Sequence, residues 1–293
     1  MRELLKTIYN GIPLKRPLYI TMKKFWKPSY RIYKHLHFKG VITIPVENGG
    51  KFKMIHHGYE IENELFWAGI KQGWEKESLK LWIKLCKRSE FIFDVGANTG
   101  IYALIAKTMN HKSKVFAFEP VKKIYEKLKS NVELNDFDII CQEKALSNFN
   151  GKADIFIPSD TEHVYSVTVN KNLNNSSIKV EKSQIEAITL KSFIEENAVP
   201  NIDLIKIDVE MHEPEVLEGF GSYFQKFKPT ILIEILTDEV ALQIEKIVSG
   251  LNYLYFNIDE TKGIRQVNKI TKSDYYNYLL CDSQTAQYLQ LIN

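Results

Sequence analysis

The sequence has few cysteines and no long apolar run. Its three cysteines are far apart and form no Cys-x-x-Cys pair: Cys86, Cys141 and Cys281. This spacing argues against a disulfide framework and a zinc site, and it predicts a reducing compartment. No apolar run approaches the ~18 residues of a membrane-spanning helix, and no apolar region of a signal peptide follows the basic first residues. We therefore expect a globular protein of the cytoplasm.

The sequence also lacks a strong net charge, which is only +3 over 293 residues and does not favour a nucleic-acid partner. The charge is unevenly spread, because residues 1–50 hold ten Lys or Arg and two acids, with aromatic residues among them. We call residues 1–40 the basic arm. It either packs on the rest of the chain or on a second copy in a homo-oligomer, or it lies on an anionic membrane at its inner face. Nucleic-acid binding is disfavoured, because no known motif is present.

The first sixty residues are predicted to form an extension. The basic arm has the pattern of several short helical segments. We expect the helices to be interrupted at Pro13, Pro17 and Pro28. Residues 41–60 have the alternation of a short β-hairpin, with its turn at residues 48–50. Residues 1–60 are therefore expected to precede the main domain as a helical and β-hairpin extension.

Strands and helices alternate from residue 91 onwards. This order predicts βαβ units and an α/β fold with a mostly parallel, Rossmann-like sheet covered by helices on both faces. Residues 151–190 interrupt the alternation, and we expect this insertion to cover the acceptor pocket of a domain that spans residues 61–293. Three polar residues of the insertion are candidates for acceptor contacts or for an ordinary solvated loop: His163, Tyr165 and Ser166.

A glycine-rich turn follows the first strand of this region, "FIFDV". Gly96, Asn98 and Gly100 follow Asp94 at every second position, and the next predicted strand ends at Glu119. In open α/β sheets, ligands bind at the carboxyl ends of the strands, and glycines let a backbone approach a ligand closely. An acid at the end of the second strand typically accepts hydrogen bonds from ribose hydroxyls. The pattern therefore predicts a nucleoside-containing ligand.

Three such ligands compete for this turn. A Walker phosphate loop needs Gly-Lys-Ser/Thr, which is absent here. A dinucleotide loop needs glycine where Asn98 stands, and Asp94 would repel the pyrophosphate. The amino group, sulfonium and ribose of S-adenosylmethionine suit Asp94 and Glu119. The purely structural alternatives are a helix N-cap for Asp94 and a solvated strand end for Glu119.

Several motifs together resemble the FkbM-type methyltransferases: "DVGANTGIYAL", "FAFEPV", "EKALSN", "IDLIKIDVEMHEPEVLEG" and "PTILIEI". The similarity covers about residues 60–282. It implies a class I fold that depends on S-adenosylmethionine, and O-methylation of a hydroxyl, often on a sugar or polyketide. Many members have glycine where this chain has Met211, and we expect Met211 to shape the pocket.

The resemblance also implies which residues contact the cofactor. Glu119 is expected at the ribose, and Ala145 and its neighbours beside the adenine. Asp208 is expected near the methyl donor because it ends the fourth predicted strand of the sheet. The complete expected set is Asp94, Gly96, Asn98, Gly100, Glu119, Pro120, Ala145 and Asp208.

The motif "IDVEMHEPE" supplies the candidate catalytic groups, because a sugar hydroxyl must lose its proton as the methyl group is transferred. We expect Asp208, Glu210 and His212 to act, with His212 as the base and Glu210 either orienting it or serving as the base. Glu213 and Glu215 are more consistent with a helix N-terminus, where carboxylates are favourable.

Glu234 is the one acid in the apolar strand "TILIEIL", so it should have a partner or lie at the strand end. We expect it to close the acceptor site opposite Glu210. Oxygen and imidazole ligands also suit a divalent cation, so a cation held by these side chains remains an alternative: Asp208, Glu210, His212 and Glu234.

These patterns favour an O-methyltransferase that depends on S-adenosylmethionine and acts on a hydroxyl of a carbohydrate or glycolipid-type precursor. One alternative is a methyltransferase for RNA, protein or another small molecule. However, the sequence has no Asn-Pro-Pro-Tyr-like motif for base methylation. Another alternative is a binding protein that keeps the cofactor fold without catalysis, which the cluster at residues 208–213 disfavours. A nicotinamide-dependent enzyme would instead bind that cofactor tightly.

Overall fold

The computed structural model of the protein describes residues 14–158 and 180–292. Four helices and an antiparallel hairpin come first, in the order α1 (Lys15–Phe25), α2 (Tyr30–Tyr33), β1 (Gly40–Pro45), β2 (Lys51–His56), α3 (Glu60–Trp67) and α4 (Lys76–Cys86). The predicted hairpin is confirmed. The predicted break at Pro17 is wrong, because Pro17 lies in the first turn of α1, where a missing N–H costs no hydrogen bond.

An eight-stranded sheet forms the centre of the molecule, in the order β12-β11-β13-β10-β9-β3-β4-β5. The five strands from β10 to β5 run parallel, while β13 runs antiparallel to both β10 and β11. The strands are β3 (Phe91–Val95), β4 (Lys114–Phe118), β5 (Ile140–Gln142), β9 (Leu204–Ile207), β10 (Thr230–Glu234), β11 (Leu254–Asp259), β12 (Gly263–Val267) and β13 (Asn277–Cys281). The predicted mostly parallel α/β sheet is therefore confirmed.

The remaining helices connect these strands: α5 (Ile101–Met109), α6 (Lys122–Glu133), α7 (Leu190–Glu196), α8 (Glu213–Glu218), α9 (Tyr223–Phe227), α10 (Asp238–Val248) and α11 (Ser283–Tyr288). Pro214 lies in the first turn of α8, which ends before Gly219. Sequence patterns did not indicate α7, α9, α11 or β12, because these elements are short and carry little periodic signal.

A small three-stranded sheet stands beside the central one. It has the order β6-β8-β7 and consists of β6 (Ala145–Ser147), β7 (Gly151–Pro158) and β8 (Val180–Thr189). Residues 138–146 thus contribute to both sheets, because β5 joins the central sheet and β6 the small one. Residues 163, 165 and 166 of the predicted insertion lie outside the described residues.

The two faces of the central sheet are covered by two apolar cores. Ile92 packs into one core and its neighbour Phe93 into the other, as expected for adjacent strand residues. The core around Ile92 includes buried residues of the basic arm and the hairpin, among them Tyr19, Tyr33 and Ile44. The inner face of the arm therefore packs on the α/β domain, which is the first of the interpretations given above.

Candidate active site

A cavity of about 250 Å³ opens at the carboxyl ends of the parallel strands. It lies where β3, β4, β9 and β10 end, which is the usual ligand site of an open α/β sheet. Every residue predicted for the site lines this cavity except Gly100. Ile155 of β7 and Ile185 of β8 also line it, so the strands of the predicted insertion border the same space.

The two outer glycines of the turn are needed for packing within the protein. Gly96 has a φ of 76°, and a Cβ there would lie 1.8 Å from the backbone oxygen of Asp208. Gly100 has a φ of 93°, and a Cβ there would lie 2.5 Å from Leu128 of α6. These glycines therefore let the turn approach the end of β9 and helix α6, which brings the two predicted motifs together.

Asp94 and Glu119 are both buried and already accept backbone hydrogen bonds. Asp94 Oδ2 accepts from Ala103 N at 3.0 Å, as an N-terminal helix contact does. Glu119 accepts from Asn98 N at 3.1 Å and from Val121 N at 2.9 Å. Burial raises the pKa of Asp94 to about 6 and that of Glu119 to about 7. Each carboxylate oxygen has a second lone pair, so both side chains can still accept from a ligand.

A buried lysine that the sequence analysis missed lies beside these acids. Lys206 of β9 is buried, and its Nζ lies 2.7 Å from Asp208 Oδ2 and 4.6 Å from the ring centroid of Tyr102. Burial lowers the pKa of Lys206, but the carboxylates of Asp208 and Glu75 outweigh burial and raise it. Lys206 is therefore charged and partly neutralises an otherwise acidic site.

Glu75 and Tyr102 form a second polar pair in the cavity wall, also missed from sequence. The Tyr102 hydroxyl donates to Glu75 Oε2, and both residues are among those that line the cavity. Burial raises the pKa of Glu75 to about 7. Glu75 follows no strand and belongs to no motif, so only the three-dimensional structure places it in the site.

Three predicted carboxylates converge in the cavity. Oxygens of Asp208, Glu210 and Glu234 all lie within 4.8 Å of one another. Burial raises the pKa of Glu210 to about 7 and that of Glu234 to about 10, and the charge of Asp208 adds to both effects. Glu234 lies at the end of β10, and its Oε2 has no hydrogen-bond partner among the described residues. Glu234 is therefore protonated at neutral pH, while Glu210 titrates near it.

His212 lies apart from this group, although it also lines the cavity. Its Nε2 is 3.0 Å from Ser147 Oγ, and its Nδ1 is 3.4 Å from Glu215 Oε2. Burial lowers the pKa of His212, while Glu215 opposes this effect. The imidazole is therefore neutral at physiological pH and already has neighbours at both nitrogens.

The turn that carries Glu210 has an unusual backbone. Glu210 and Met211 have φ values of 55° and 75°, in the left-handed region that favours glycine. Glu213 is fully buried, and its Oε1 accepts from Val209 N at 3.1 Å and from Met211 N at 3.3 Å. Glu213 therefore holds the turn, in keeping with its predicted place at a helix N-terminus. Met211 does not line the cavity but packs against the core around Phe93.

The residues that line the cavity make it strongly acidic. Its cationic side chains are Lys144 and Lys206, against seven carboxylic acids: Glu62, Glu75, Asp94, Glu119, Asp208, Glu210 and Glu234. Such a site favours a ligand with positive charge and with hydroxyl or amino donors, and it disfavours a phosphate or pyrophosphate.

The sheet order, the site at the strand ends and the acidic cavity define a Rossmann-like α/β protein of the class I methyltransferase type. Residues 94–256, more than half of the chain, match the methyltransferase FkbM domain. The chain therefore belongs to the FkbM methyltransferase family, as its motifs indicated, and it is a methyltransferase that uses S-adenosylmethionine.

Two similar proteins are a hexuronic acid methyltransferase, AglP, of Haloferax volcanii and the methyltransferase sdnD of Sordaria araneosa. The first is 28% identical over 176 residues, which cover 60% of this chain and 68% of the relative. The second is 26% identical over 172 residues, which cover 49% of this chain and 65% of the relative. The chain thus spans about two thirds of the length of each.

Solved structures of methyltransferases are also similar. The FkbM methyltransferase of Methylobacillus flagellatus KT is 16% identical, with a TM-score of 0.42, over 66% of this chain and 43% of that one. A S-adenosylmethionine-dependent O-methyltransferase of Thermotoga maritima is 14% identical, with a TM-score of 0.39, over 82% of this chain and 77% of that one.

Proposed function

We propose that the protein O-methylates a hydroxyl of a sugar or of a glycoconjugate precursor. The observation that carries this proposal is the group of carboxylates at Asp208, Glu210 and Glu234, in which Glu210 has a pKa of about 7. Hydroxyls are hydrogen-bond donors with high pKa values, so they suit a cluster of acceptors that includes a base. A relative named as a hexuronic acid methyltransferase supports a carbohydrate acceptor.

The cofactor side of the cavity suits S-adenosylmethionine, which supplies a methyl group on an already activated leaving group. Glu119 would accept hydrogen bonds from the ribose hydroxyls, and Ala145 with Pro120 would border the adenine. Asp94 and Asp208 place negative charge beside the sulfonium and the amino group. The fit rests on the buried acids of the cavity, which have few cations of the protein to pair with.

Glu210 is the base that we favour, rather than His212. A base at neutral pH works best with a pKa near 7, and Glu210 has that value. Glu234 is protonated, so it donates a hydrogen bond to an acceptor oxygen while Glu210 removes a proton. His212 would position the acceptor through its contact with Ser147 of the small sheet.

A divalent cation at Asp208, Glu210 and Glu234 is the alternative that their convergence leaves open. His212 does not join these carboxylates, although it was predicted as a fourth ligand. Lys206 Nζ already supplies a positive charge 2.7 Å from Asp208. We therefore propose that the reaction proceeds without a cation, with Lys206 offsetting the charge of the acids.

Methyl transfer to defined glycans tests the proposal. The purified protein is incubated with methyl-labelled S-adenosylmethionine and oligosaccharides that contain hexuronic acid or only neutral sugars. O-methylation of a hydroxyl gives a methyl ether, which is stable in mild alkali, whereas a methyl ester is hydrolysed. We therefore expect the label to remain on the product after mild alkali. A label released by alkali would show that a carboxylate is the acceptor, and transfer only to RNA or protein would contradict the proposal.

The exposed face of the basic arm favours a membrane-associated acceptor. Leu14, Leu18 and Phe25 lie along one side of α1 with exposed fractions of 76%, 51% and 86%. Residues 14–46 include no Asp or Glu, and basic residues are near these three positions in the sequence. No helix among the described residues is both long and apolar enough to cross a membrane. We therefore propose peripheral contact with an anionic membrane, at its cytoplasmic face.

A further inference from the structure

Glu62 of α3 is a buried carboxylate with one oxygen that has no partner. The residue is 1% exposed and lines the cavity. Its Oε1 makes no hydrogen bond with any described residue. An unpaired oxygen of this kind is costly in an apolar interior, so a donor from a ligand would stabilise it.

The structural role of Glu62 needs only its other oxygen. Oε2 accepts from His57 N at 2.5 Å and from Tyr59 N at 3.3 Å, and these bonds cap the start of α3. The amide oxygen of a glutamine could accept the same two bonds. The helix cap therefore explains why position 62 has a hydrogen-bond acceptor, but not why this residue is a glutamate rather than a glutamine.

His56, a basic side chain beside Glu62, donates no hydrogen bond to it. His56 Nδ1 lies 3.4 Å from Glu62 Oε2, but it accepts a hydrogen bond from Gly58 N at 2.9 Å. That nitrogen therefore carries no proton, and Nε2, 3.3 Å from Asn63 Oδ1, is the protonated one. His56 therefore donates no hydrogen bond to Glu62, and Oε1 of this carboxylate still lacks a donor.

Glu62 is tied to the glycine-rich turn through one asparagine. Asn131 of α6 accepts from Ile55 N at 2.8 Å and donates to the carbonyl of Thr99 at 2.9 Å. Ile55 lies in the strand that leads to Glu62, and Thr99 lies in the turn and lines the cavity. The corner that carries Glu62 is therefore held at the cofactor side of the cavity.

We propose that Glu62 Oε1 binds the ammonium group of S-adenosylmethionine. This proposal rests on the proposed function, in which the cavity holds that cofactor. Oε1 needs a donor, and a carboxylate binds a cationic donor more strongly than a neutral one. The sulfonium has no N–H or O–H, and Glu119 is assigned to the ribose hydroxyls, which are neutral. The ammonium group provides both a hydrogen bond and a positive charge, and its three N–H donors allow it to contact Glu62 as well as Asp94.

Two ligands and two variants test the proposal by calorimetric titration. S-adenosylhomocysteine keeps the ammonium group, while 5′-methylthioadenosine has the adenosine part and no amino acid. In Glu62→Gln, we expect affinity for S-adenosylhomocysteine to fall about 10- to 100-fold, the range for one charged hydrogen bond, and affinity for methylthioadenosine to stay unchanged. Glu64→Gln is the matched control, because Glu64 is a half-buried acid of the same helix that does not line the cavity.

Thermal unfolding of the free protein separates this role from a structural one. Glu62→Gln should leave the melting temperature unchanged, since the amide oxygen of glutamine keeps the two bonds of the cap. Glu62→Asp, which keeps the charge but withdraws it by one methylene, should weaken S-adenosylhomocysteine binding in the same selective way.

Three results would overturn the proposal. Equal losses for both ligands would move the contact to the adenosine, and unchanged affinities with a lower melting temperature would leave Glu62 a structural residue. Failure of the unaltered protein to bind S-adenosylhomocysteine would overturn the proposed function, and this inference with it.

Discussion

Glu210 combines a pKa of about 7 with a left-handed backbone at the end of a parallel strand. Sequence reasoning identified this residue as a candidate but favoured His212 as the base. The reason was that the unperturbed pKa of histidine lies closer to neutral pH than that of glutamate. Burial reverses that order, because it raises the pKa of Glu210 and lowers that of His212. The base can therefore be assigned only once burial is known.

The pH dependence of kcat/KM distinguishes these two bases. A base acts when deprotonated, so with Glu210 the rate should rise about tenfold per pH unit below pH 7 and level off above it. If His212 is the base, the rate should level off at a pH below 6.5, because burial lowers the pKa of His212 from its ordinary value of 6.5. Glu210→Gln should lower kcat about 10²- to 10⁴-fold. Ser147→Ala, which removes a contact of His212 but leaves the base in place, should raise KM and change kcat little. A profile that levels off well below pH 6.5 would contradict our assignment.

Removal of divalent cations tests the role of Lys206. Because Lys206 already places a positive charge on Asp208, a chelator should leave the rate unchanged. Lys206→Met should lower the rate, since it leaves the surrounding acids without that charge. Loss of activity with a chelator and recovery with Mg²⁺ or Mn²⁺ would instead show that the three carboxylates hold a cation.

Lys206 could have been found in the sequence. It is the one charged residue inside the apolar strand "LIKI", and it stands two positions before Asp208, on the same side of the strand. The same reasoning singled out Glu234 in β10. Glu62 and Glu75 gave no such signal, because they belong to helix starts far along the chain from the motifs.

At the scale of elements, the turn after β3 depends on a close backbone contact with the end of β9. Gly96→Ala places a Cβ 1.8 Å from the Asp208 oxygen at a φ of 76°. We expect this change to lower the free energy of unfolding by about 3 kcal/mol or more, through a clash as well as a strained backbone. Gly250→Ala is the control, because Gly250 has a φ of 81° but no neighbour within 4 Å.

Thermal or denaturant unfolding measures this difference. Gly250→Ala should cost about 1 kcal/mol, the penalty for a left-handed alanine alone. Equal losses in the two variants would show that the turn can move away from β9, and that the two motifs are not held together by this contact.

The alternation of strands and helices from residue 91 predicted the central sheet, because each strand there is a clear apolar run between helical patterns. The pairing of β6 with β8 could not be predicted in this way, since β6 has only three residues and its partner lies within the predicted insertion. The left-handed turn at Glu210 and Met211 was also missed, because neither residue type signals such a backbone.

At the scale of the whole molecule, the basic arm presents two different faces. Its inner residues belong to the core around Ile92, while Leu18 and Phe25 remain exposed among basic side chains. The arm also contacts α3, where Tyr30 donates to Glu60 at 2.8 Å, next to residues that line the cavity. A membrane or protein surface that binds the arm would therefore lie close to the cavity.

Vesicle flotation tests whether this surface is a membrane. The protein should float with phosphatidylglycerol-rich vesicles and not with phosphatidylcholine alone, and high salt should reverse the binding. The double variant Lys24→Glu, Phe25→Asp should bind about 10-fold or more weakly, since it reverses a charge and removes an apolar contact. Leu242→Asp is the control, because Leu242 is 59% exposed on α10, away from the arm.

A different result would identify another occupant of this face. If vesicles are not bound, and light scattering shows a dimer that the double variant loses, the exposed stripe joins two copies of the chain. That result would contradict the membrane proposal and support the predicted homo-oligomer.

Calorimetric titration with S-adenosylhomocysteine, with NAD as the control ligand, tests most directly whether the acidic cavity is a methyltransferase site. We predict that S-adenosylhomocysteine binds and NAD does not. Affinity should fall about 10-fold or more in Glu119→Ala and in Asp94→Asn, which remove charged acceptors. Binding of NAD, or binding of S-adenosylhomocysteine that neither variant weakens, would contradict the account.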